Sequence, residues 1–333
     1  MRNAKYLLSL TPGMVVVTGN LAGGWYMGMN TFFSFVVLAL LEFFTSEDKS
    51  NKCDKEDKLP DLILYTHVLM QTACIVSFFY SLKFYDNTPM QLMLGAFSLG
   101  IHSSTSAIII AHELIHRPNA FMQTLGKYLL FTAGNCYFYV DHLRVHHKYV
   151  GTEKDPATSV LNETIYRFFI RSCIGQIKSS IKLENKRIEK EKASMLSNYV
   201  FISIVGILAL TVTVYFAISP LGALAFLFHV LIANFLLEYV NYIEHYGLIR
   251  NENERVREIH SWQSDKVISR FFLIDLSRHA DHHYYASKPY HTLMSYENSP
   301  VLPGGYAQMI YYVLIPPLWF KATHRILKNR KLI

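Results

Sequence analysis

Charge is scarce in this sequence: 17% of its 333 residues are Asp, Glu, Lys or Arg, against about 25% in an ordinary soluble domain. That scarcity argues against a water-soluble enzyme. With 51% hydrophobic residues and a mean hydropathy of +0.17, it also excludes a disordered chain or a nucleic-acid-coating polymer, because so apolar a chain collapses or inserts. Cysteine is equally thin. Cys53, Cys74, Cys136 and Cys173 are far apart and form no CxxC pair, which excludes a disulfide framework, a zinc ribbon and a rubredoxin-type site. There is no flavin or nicotinamide fingerprint and no iron–sulfur cysteine motif, so any electrons must come from another protein. Internal repeats and low-complexity segments are missing. No small-residue cleavage pattern follows the first apolar stretch, as a signal peptide would require.

What the chain has instead is long apolar runs and histidine. A membrane-crossing helix needs about 20 mostly apolar residues, and hydropathy places spans at 6–22, 27–44, 61–82, 91–111, 199–218 and 221–242. The first two are separated by a tight turn near Gly23 and Gly24, with Trp25 and Tyr26 at the interface. The expected fold is therefore an all-α integral membrane protein of about six transmembrane helices, one domain over 1–333. The water-facing parts are the charged loop 46–58, the mixed region 112–198 and the remainder 243–333. The short turns on the opposite side contain Lys83 and no other Lys or Arg. The net charge of +7 thus falls almost wholly on one side, which the positive-inside rule assigns to the cytoplasm together with both termini. Whether 120–140 forms a further half-inserted helix is not fixed by hydropathy.

The chain holds 15 histidines, most of them in four clusters near span ends. They are His112-Glu-Leu-Ile-His116, His142-Leu-Arg-Val-His146-His147, the Glu244-His245 pair in Asn241 to Gly247, and His279-Ala-Asp-His282-His283. Residues i and i+4 share a helix face, so pairs at that spacing can reach one metal. A lone histidine at a helix end is more often a hydrogen-bonded residue than a ligand, and His67, His102, His229, His291 and His324 take that ordinary reading. Four clusters converging on one side are a different matter: nine imidazoles suffice for two metals with open positions. Imidazole suits iron, copper and zinc alike, so ligand type does not choose the metal. The first cluster also satisfies HExxH, a zinc-protease pattern in which Glu113 would be the base. That reading leaves the remaining histidines without a role. A histidine-rich metal transporter is a further alternative, although transport places ligands near the bilayer midplane.

The motifs HELIH at 112–116, DHLRVHH at 141–147 followed by DPATS at 155–159, NYIEHYGL at 241–248 and RHADHH at 278–283 together resemble the membrane-bound alkane 1-monooxygenases, within the integral-membrane histidine-rich diiron superfamily. HSWQS at 260–264 and the region of Leu302, Pro303, Gly305 and Tyr306 follow the same pattern. Desaturases share the first, second and fourth boxes, whereas NYIEHYGL separates hydroxylases, including the xylene-oxidising branch, from them. The resemblance implies two non-haem iron ions, with O2 as co-substrate, held by His112, His116, His142, His146, His147, His245, His279, His282 and His283. Which histidine serves which iron stays open. Two departures stand out: Asp141 where the family often has Glu, and Gln263 where Asn is common.

Ligating imidazoles usually donate their outer N–H to a carboxylate or carbonyl. Glu113, Asp141, Asp155, Glu244 and Asp281 are expected in that role, Glu244 and Asp281 foremost, with His260 as a further supporting or substitute ligand. The implied reaction is O2-dependent terminal hydroxylation of medium- or long-chain n-alkanes to 1-alkanols, with electrons from rubredoxin and rubredoxin reductase. The implied place is the bacterial inner membrane, with the active site cytoplasmic. A related diiron hydroxylase or desaturase acting on alkylaromatic methyl groups or fatty acyl chains is the alternative. Partners are then the lipid bilayer, an apolar hydrocarbon and an acidic electron carrier, with no nucleic acid. Arg144, Lys148, Arg250, Arg255, Arg257, Lys288 and the tail Arg325 to Lys331 are candidate docking groups. Substrate would run in an apolar channel between spans, with Phe32, Phe33, Phe35, Leu38 and Leu41 as candidate wall residues. Ser34 aligns with a bulky residue that limits chain length in the family, so a small side chain there predicts acceptance of longer chains.

Overall fold

In the computed structural model, which describes residues 2–51 and 56–333, the chain is built of helices. Among the described residues, extended pairing is confined to isolated bridges at Glu47–Lys266 and Gln263–Val301. Cys53, in the expected loop 46–58, lies outside the described residues. A 3-10 segment, Arg2–Leu10, leads into α1 (Thr11–Ala22). There follow α2 (Gly24–Phe44), α3 (Leu59–Phe84) and α4 (Pro89–His116). Next come α5 (Ala120–Thr132), a short helix over 138–149 called α6, and α7 (Ile165–Glu191). Two further long helices are α8 (Tyr199–Ala217) and α9 (Pro220–His245). The C-terminal part carries α10 (Val267–Phe272), α11 (His279–Tyr284), α12 (Tyr306–Val313) and α13 (Pro316–Asn329).

Five of these, α2, α3, α4, α8 and α9, are long and apolar enough to cross a membrane. The sixth expected span, 6–22, is not one continuous α-helix: its first half is 3-10 and only α1 is α-helical. The ends of the long helices are set by capping. Thr88 and Gln91 form a reciprocal capping box ahead of Pro89, and Ser219 caps α9 ahead of Pro220. At the other end, hydropathy and helix part company. It fades at residue 111 of α4 and 242 of α9, yet the helices continue to His116 and His245, because backbone hydrogen bonding is indifferent to the polarity of the side chain. With 28 and 26 residues, α4 and α9 rise about 42 and 39 Å, well beyond the ~30 Å hydrocarbon core. Their histidine-bearing ends stand outside it.

The two helices cross closely at Gly100, where an added Cβ would lie 2.7 Å from Ile232. After α4 the chain turns back on itself. α5 descends along α4 until Thr132 meets Gln71 of α3 at 3.2 Å, and the turn at Gly134 and Asn135 then sends α6 back towards the end of α4. The region 120–140 is thus a 13-residue helix that runs back along α4, followed by a reversal. Asn135, fully buried, holds the turn: its side chain accepts from Tyr137 and Phe138 N–H at 3.1 and 2.8 Å and donates to Asn234 at 2.9 Å. Gly134 has φ +68°, and a Cβ there would sit 2.4 Å from Val230. Gly134→Ala therefore combines a left-handed backbone with an overpacked contact. The expected cost is about 2–4 kcal/mol, read as a lower thermal midpoint in detergent; an unchanged midpoint would refute this account of the turn.

Candidate metal centre

The histidine boxes lie on four separate helix ends that this topology brings to one place. His112 and His116 occupy the last turns of α4, His142, His146 and His147 lie in α6, His245 ends α9, and His279, His282 and His283 lie in α11. Their nitrogens form two groups: His112, His116, His142, His147 and His282 in the first, and His146, His245, His279 and His283 in the second. All nine expected ligands are brought together. The groups adjoin, with the His147 and His283 rings 4.6 Å apart.

The i, i+4 pairs His112/His116 and His279/His283 each fall within one group, as helix geometry requires. The pair His142/His146 does not. Residues His142–His146 form a π turn, and such widening brings i+5 back to the face of i; in an α-helix it would lie about 140° away. His142 therefore shares its group with His147, and His146 swings into the other.

The atoms in the first group cannot be a hydrogen-bond network. The Nε2 atoms of His116, His142 and His147 lie 3.0, 3.1 and 3.0 Å from one another, and His282 Nε2 reaches His112 at 2.8 Å and His147 at 3.1 Å. A ring nitrogen is either an N–H donor or a lone-pair acceptor, so a triangle must contain at least one contact between like atoms. A cation at the centre removes the conflict. Metal–nitrogen bonds of about 2.1 Å at right angles put neighbouring nitrogens about 3.0 Å apart, as observed. In the second group, His146 Nε2 and both nitrogens of His283 are buried without a partner, and His245 and His279 bring Nε2 within 3.2 Å. The donor set fits a transition metal in each group.

Electrostatics agree with ligands that present lone pairs. Burial and the neighbouring imidazoles hold His142, His147, His279, His282 and His283 well below the ordinary imidazole range, hence neutral. His146 is the exception. Burial opposes its charge, but Asp155 at 2.9 Å from Nδ1 outweighs burial and raises its pKa, while His146 and Thr158 overcome burial to hold Asp155 low. Asp155 is itself fixed by the Thr158 hydroxyl at 2.6 Å and the Ala157 N–H at 3.1 Å, which explains the DPATS segment.

The other carboxylates divide. Glu244 does not take the outer nitrogen of an imidazole: Oε2 lies 3.2 Å from His279 Nε2, the nitrogen that faces His245, His279 Nδ1 is buried without a partner, and Oε1 accepts the Tyr306 hydroxyl at 2.7 Å. Asp281 does not hold an imidazole; it accepts from Lys288 Nζ, the Tyr296 hydroxyl and Met294 N–H, each at 2.8 Å. Its side chain leaves the opposite side of α11 from the histidines. Glu113 is taken by Arg117 at 2.7 Å and by Tyr290 N–H at 3.3 Å, so it faces away from the centre and the zinc-protease arrangement is not formed. Asp141 accepts from Ser179, and burial lifts its pKa to about 7. His260 belongs to neither group; its Nδ1 accepts from Arg257 N–H at 3.0 Å. The HSWQS segment instead braces the end of α9, through Trp262 Nε1 to the Tyr246 carbonyl at 2.9 Å and Trp262 N–H to the Glu244 carbonyl at 2.8 Å. Gln263 ties this segment to Tyr296, donating to its carbonyl at 2.7 Å.

His67 is satisfied by Ser9 and Ser106, and His324 Nε2 meets Tyr246; His229 meets Ser103 through Nε2 alone, and His102, expected to be hydrogen-bonded, is buried with neither nitrogen partnered. Of the basic groups, Arg250 is buried and donates to the carbonyls of Val150, Lys148 and Glu254, and Lys288 is committed to Asp281. Neither is free for docking.

Two cavities lead from the membrane helices to the histidines. The inner one, about 30 Å³, is bordered by His112, His142, His279 and Glu244 and has room for a water-sized molecule. Ser104, Ile109 and Val240 border both it and a longer apolar cavity. That cavity is walled by Ser34, Phe35 and Leu38 of α2, Ile101 of α4, Leu236 of α9 and Ile310 of α12. Phe32 and Leu41 point outward and Phe33 packs on Phe272, so these do not line it. Sequence reasoning passed over Tyr306, Glu42 and Ser269, which also border it. Tyr306 stands in a matching region without a role, and Glu42 and Ser269 carry no motif that would single them out.

Fold and site define an integral membrane protein with two adjoining, largely buried histidine groups suited to metal, beside an apolar cavity. Residues 88–313 match the family model described as fatty acid desaturase. The chain is 32% identical over 316 residues to alkane 1-monooxygenase 2 of Alcanivorax borkumensis, covering 90% of this chain and 81% of that one. It is 32% identical over 335 residues to the alkane 1-monooxygenase of Ectopseudomonas oleovorans, covering 94% and 81%. The xylene/toluene monooxygenase hydroxylase component of Pseudomonas putida is 28% identical over 234 residues, 70% of this chain and 63% of that one. The chain belongs to the alkane 1-monooxygenase family, as its histidine boxes led one to expect, and is an oxidoreductase of the monooxygenase class.

Proposed function

We propose that this protein hydroxylates the terminal carbon of medium- or long-chain n-alkanes, giving 1-alkanols and water from O2, two electrons and two protons. The observation that carries the reading is the apolar cavity that shares Ser104, Ile109 and Val240 with the small cavity bordered by His112, His142 and His279. His112, His116, His142, His147 and His282 would hold one iron and His146, His245, His279 and His283 the other. Bound there, iron supplies the redox chemistry with O2 that no side chain can perform on an unactivated C–H bond. The chain's own residues do the rest. Asp155 fixes the ring of His146 with Nε2 inward, and Tyr306 fixes the carboxylate of Glu244. The wall of Phe35, Leu38, Ile101 and Ile310 excludes water and leaves an extended chain one way to lie, with its end towards the histidines.

Electrons would come from rubredoxin and its reductase. The distribution of Lys and Arg supports a bacterial inner-membrane protein with the histidine centre on the cytoplasmic side. There the exposed Arg144, Lys148, Arg255 and Arg257 and the tail Arg325 to Lys331 suit an acidic carrier. The xylene/toluene relative supports a second reading, oxidation of an alkylaromatic methyl group.

The test is a product assay on membranes containing the protein, with rubredoxin, reductase, NADH and dodecane, His282→Ala serving as blank. Formation of 1-dodecanol by the unmutated protein alone is the expected result; no alkanol from iron-loaded protein would overturn the alkane reading and turn the search to alkylaromatic and acyl substrates. In the same assay, Ser34→Trp should shorten the longest accepted alkane, since an indole at that wall fills the cavity. An unchanged chain-length profile would refute the role of Ser34.

A further inference from the structure

A second cavity lies on the outer side of α2. It is a groove between α2 and α12, lined by Ala39, Leu40 and Phe43 on one side and Met309, Tyr311 and Tyr312 on the other. It is open, with Leu40 54% and Phe43 70% exposed on a helix long and apolar enough to cross a membrane, and its lining is mainly apolar, Lys266 and Gln308 being the polar members. Among the described residues, Phe35 alone borders both this groove and the inner apolar cavity. Phe35 is therefore the residue at which the lipid-facing groove and the inner cavity adjoin.

The way Phe35 is held is unusual for a span. It lies within the π turn Phe33–Leu38, where the regular i→i+4 ladder is interrupted. Its carbonyl accepts the hydroxyl of Tyr311 from α12, and its ring stacks on Phe97 with centroids 6.0 Å apart. The rest of the seam is tied more deeply. Gln308 N–H donates to the buried Glu42 carboxylate at 3.0 Å, and Gln308 Nε2 donates to the Ala39 carbonyl at 3.4 Å. The Tyr311 bond is the outermost tie, and Tyr311 is itself 45% exposed.

We propose that this groove is the port by which a linear hydrocarbon dissolved in the bilayer reaches the inner cavity, with the Phe35 ring as door and the Tyr311–Phe35 bond as latch. The inference rests on the hydrocarbon reading given above. An apolar chain is concentrated in the bilayer, and from there the passage to the cavity crosses a single aromatic ring. From water the same molecule would have to cross the buried polar groups around the histidines. The widened turn lets Phe35 swing while the α-helical segments on either side keep their own hydrogen bonds.

The experiment uses membranes containing the full chain and a 12-carbon alkyl diazirine as photolabel, with labelled peptides identified by mass spectrometry. Label is expected on 35–43 and 303–312, and excess dodecane should compete with it. Ala39→Trp fills the groove and should lower both the label in the inner cavity and kcat/KM for dodecane by about tenfold or more, with metal content unchanged. Leu69→Trp, at a position 71% exposed on α3, should change neither. Tyr311→Phe removes the latch and keeps the ring, and should raise kcat/KM about twofold to fivefold. The port is overturned if Ala39→Trp with full metal content keeps its inner label, or if dodecane fails to compete with label in the groove, as for a cleft filled by membrane lipid. If dodecane competes but the unmutated protein makes no dodecanol, the port stands and the hydroxylation reading alone falls.

Discussion

Replacing His283 with alanine is expected to halve the metal content of the purified protein, while His116→Ala lowers it less. The reason is the unequal division of the nine imidazoles. His283 belongs to the group of four and His116 to the group of five, so the first substitution leaves three nitrogens and the second leaves four. Three buried imidazoles can still hold a metal, but more weakly, and the two nitrogens of His283 have no other partner that would resist the loss. Both variants should lose at least about 100-fold in activity, more than the 10–100-fold typical of a group that only orients a ligand. Metal is measured by plasma mass spectrometry on detergent-purified protein, with circular dichroism to show that the helices persist. Equal and complete loss of metal in both variants would mean that the two groups are one site. Unchanged metal in His283→Ala would remove the second group as a binding site.

The second large effect separates two aspartates, Asp281 inside a histidine box and Asp155 eight residues after one. Asp155→Asn should weaken the metal in the group of four about 10–100-fold. An uncharged amide no longer favours the orientation and basicity of His146 that the carboxylate provides at 2.9 Å. Asp281→Asn should leave metal content intact and destabilise the fold by about 1–3 kcal/mol. Its carboxylate is fully buried and accepts from Lys288, Tyr296 and Met294, which an amide cannot all satisfy. Metal retention against a graded chelator and the thermal midpoint are the paired measurements. The outcome that sinks the distinction is Asp281→Asn shedding metal while Asp155→Asn keeps it.

The contrast between these aspartates marks where sequence reasoning stops. The spacing HADHH places Asp281 between ligands, and proximity along the chain invited a role beside them. In α11, however, the histidines and Asp281 leave the helix on different sides, and the segment 288–296 supplies the partners that claim the carboxylate. Glu113 is the more legible case, since its cation Arg117 stands one turn on along the same helix. Arg250 was expected at the surface because it is charged, and is buried because the carbonyls of Lys148, Val150 and Glu254 need donors. Partners remote in sequence leave no local trace. The split of His142 from His146 was hidden for another reason: no residue pattern announces a π turn, and the i, i+4 rule presumes an α-helix.

The sequence by itself determined the all-α membrane architecture, the identity of all nine histidines that converge, and that they gather near the ends of the long helices. These follow from hydropathy over whole spans and from clustered residues of one chemical type, signals strong enough to survive local irregularity. Tertiary structure alone decided how the nine divide five to four, which carboxylates touch them, and that Ser34, Phe35 and Leu38 line the cavity while Phe32 and Leu41 do not. Those outcomes depend on the rotation of each helix about its axis and on where its backbone departs from 3.6 residues per turn. That rotation is set by packing against helices far away in the chain, such as α9 lying against Gly100 of α4.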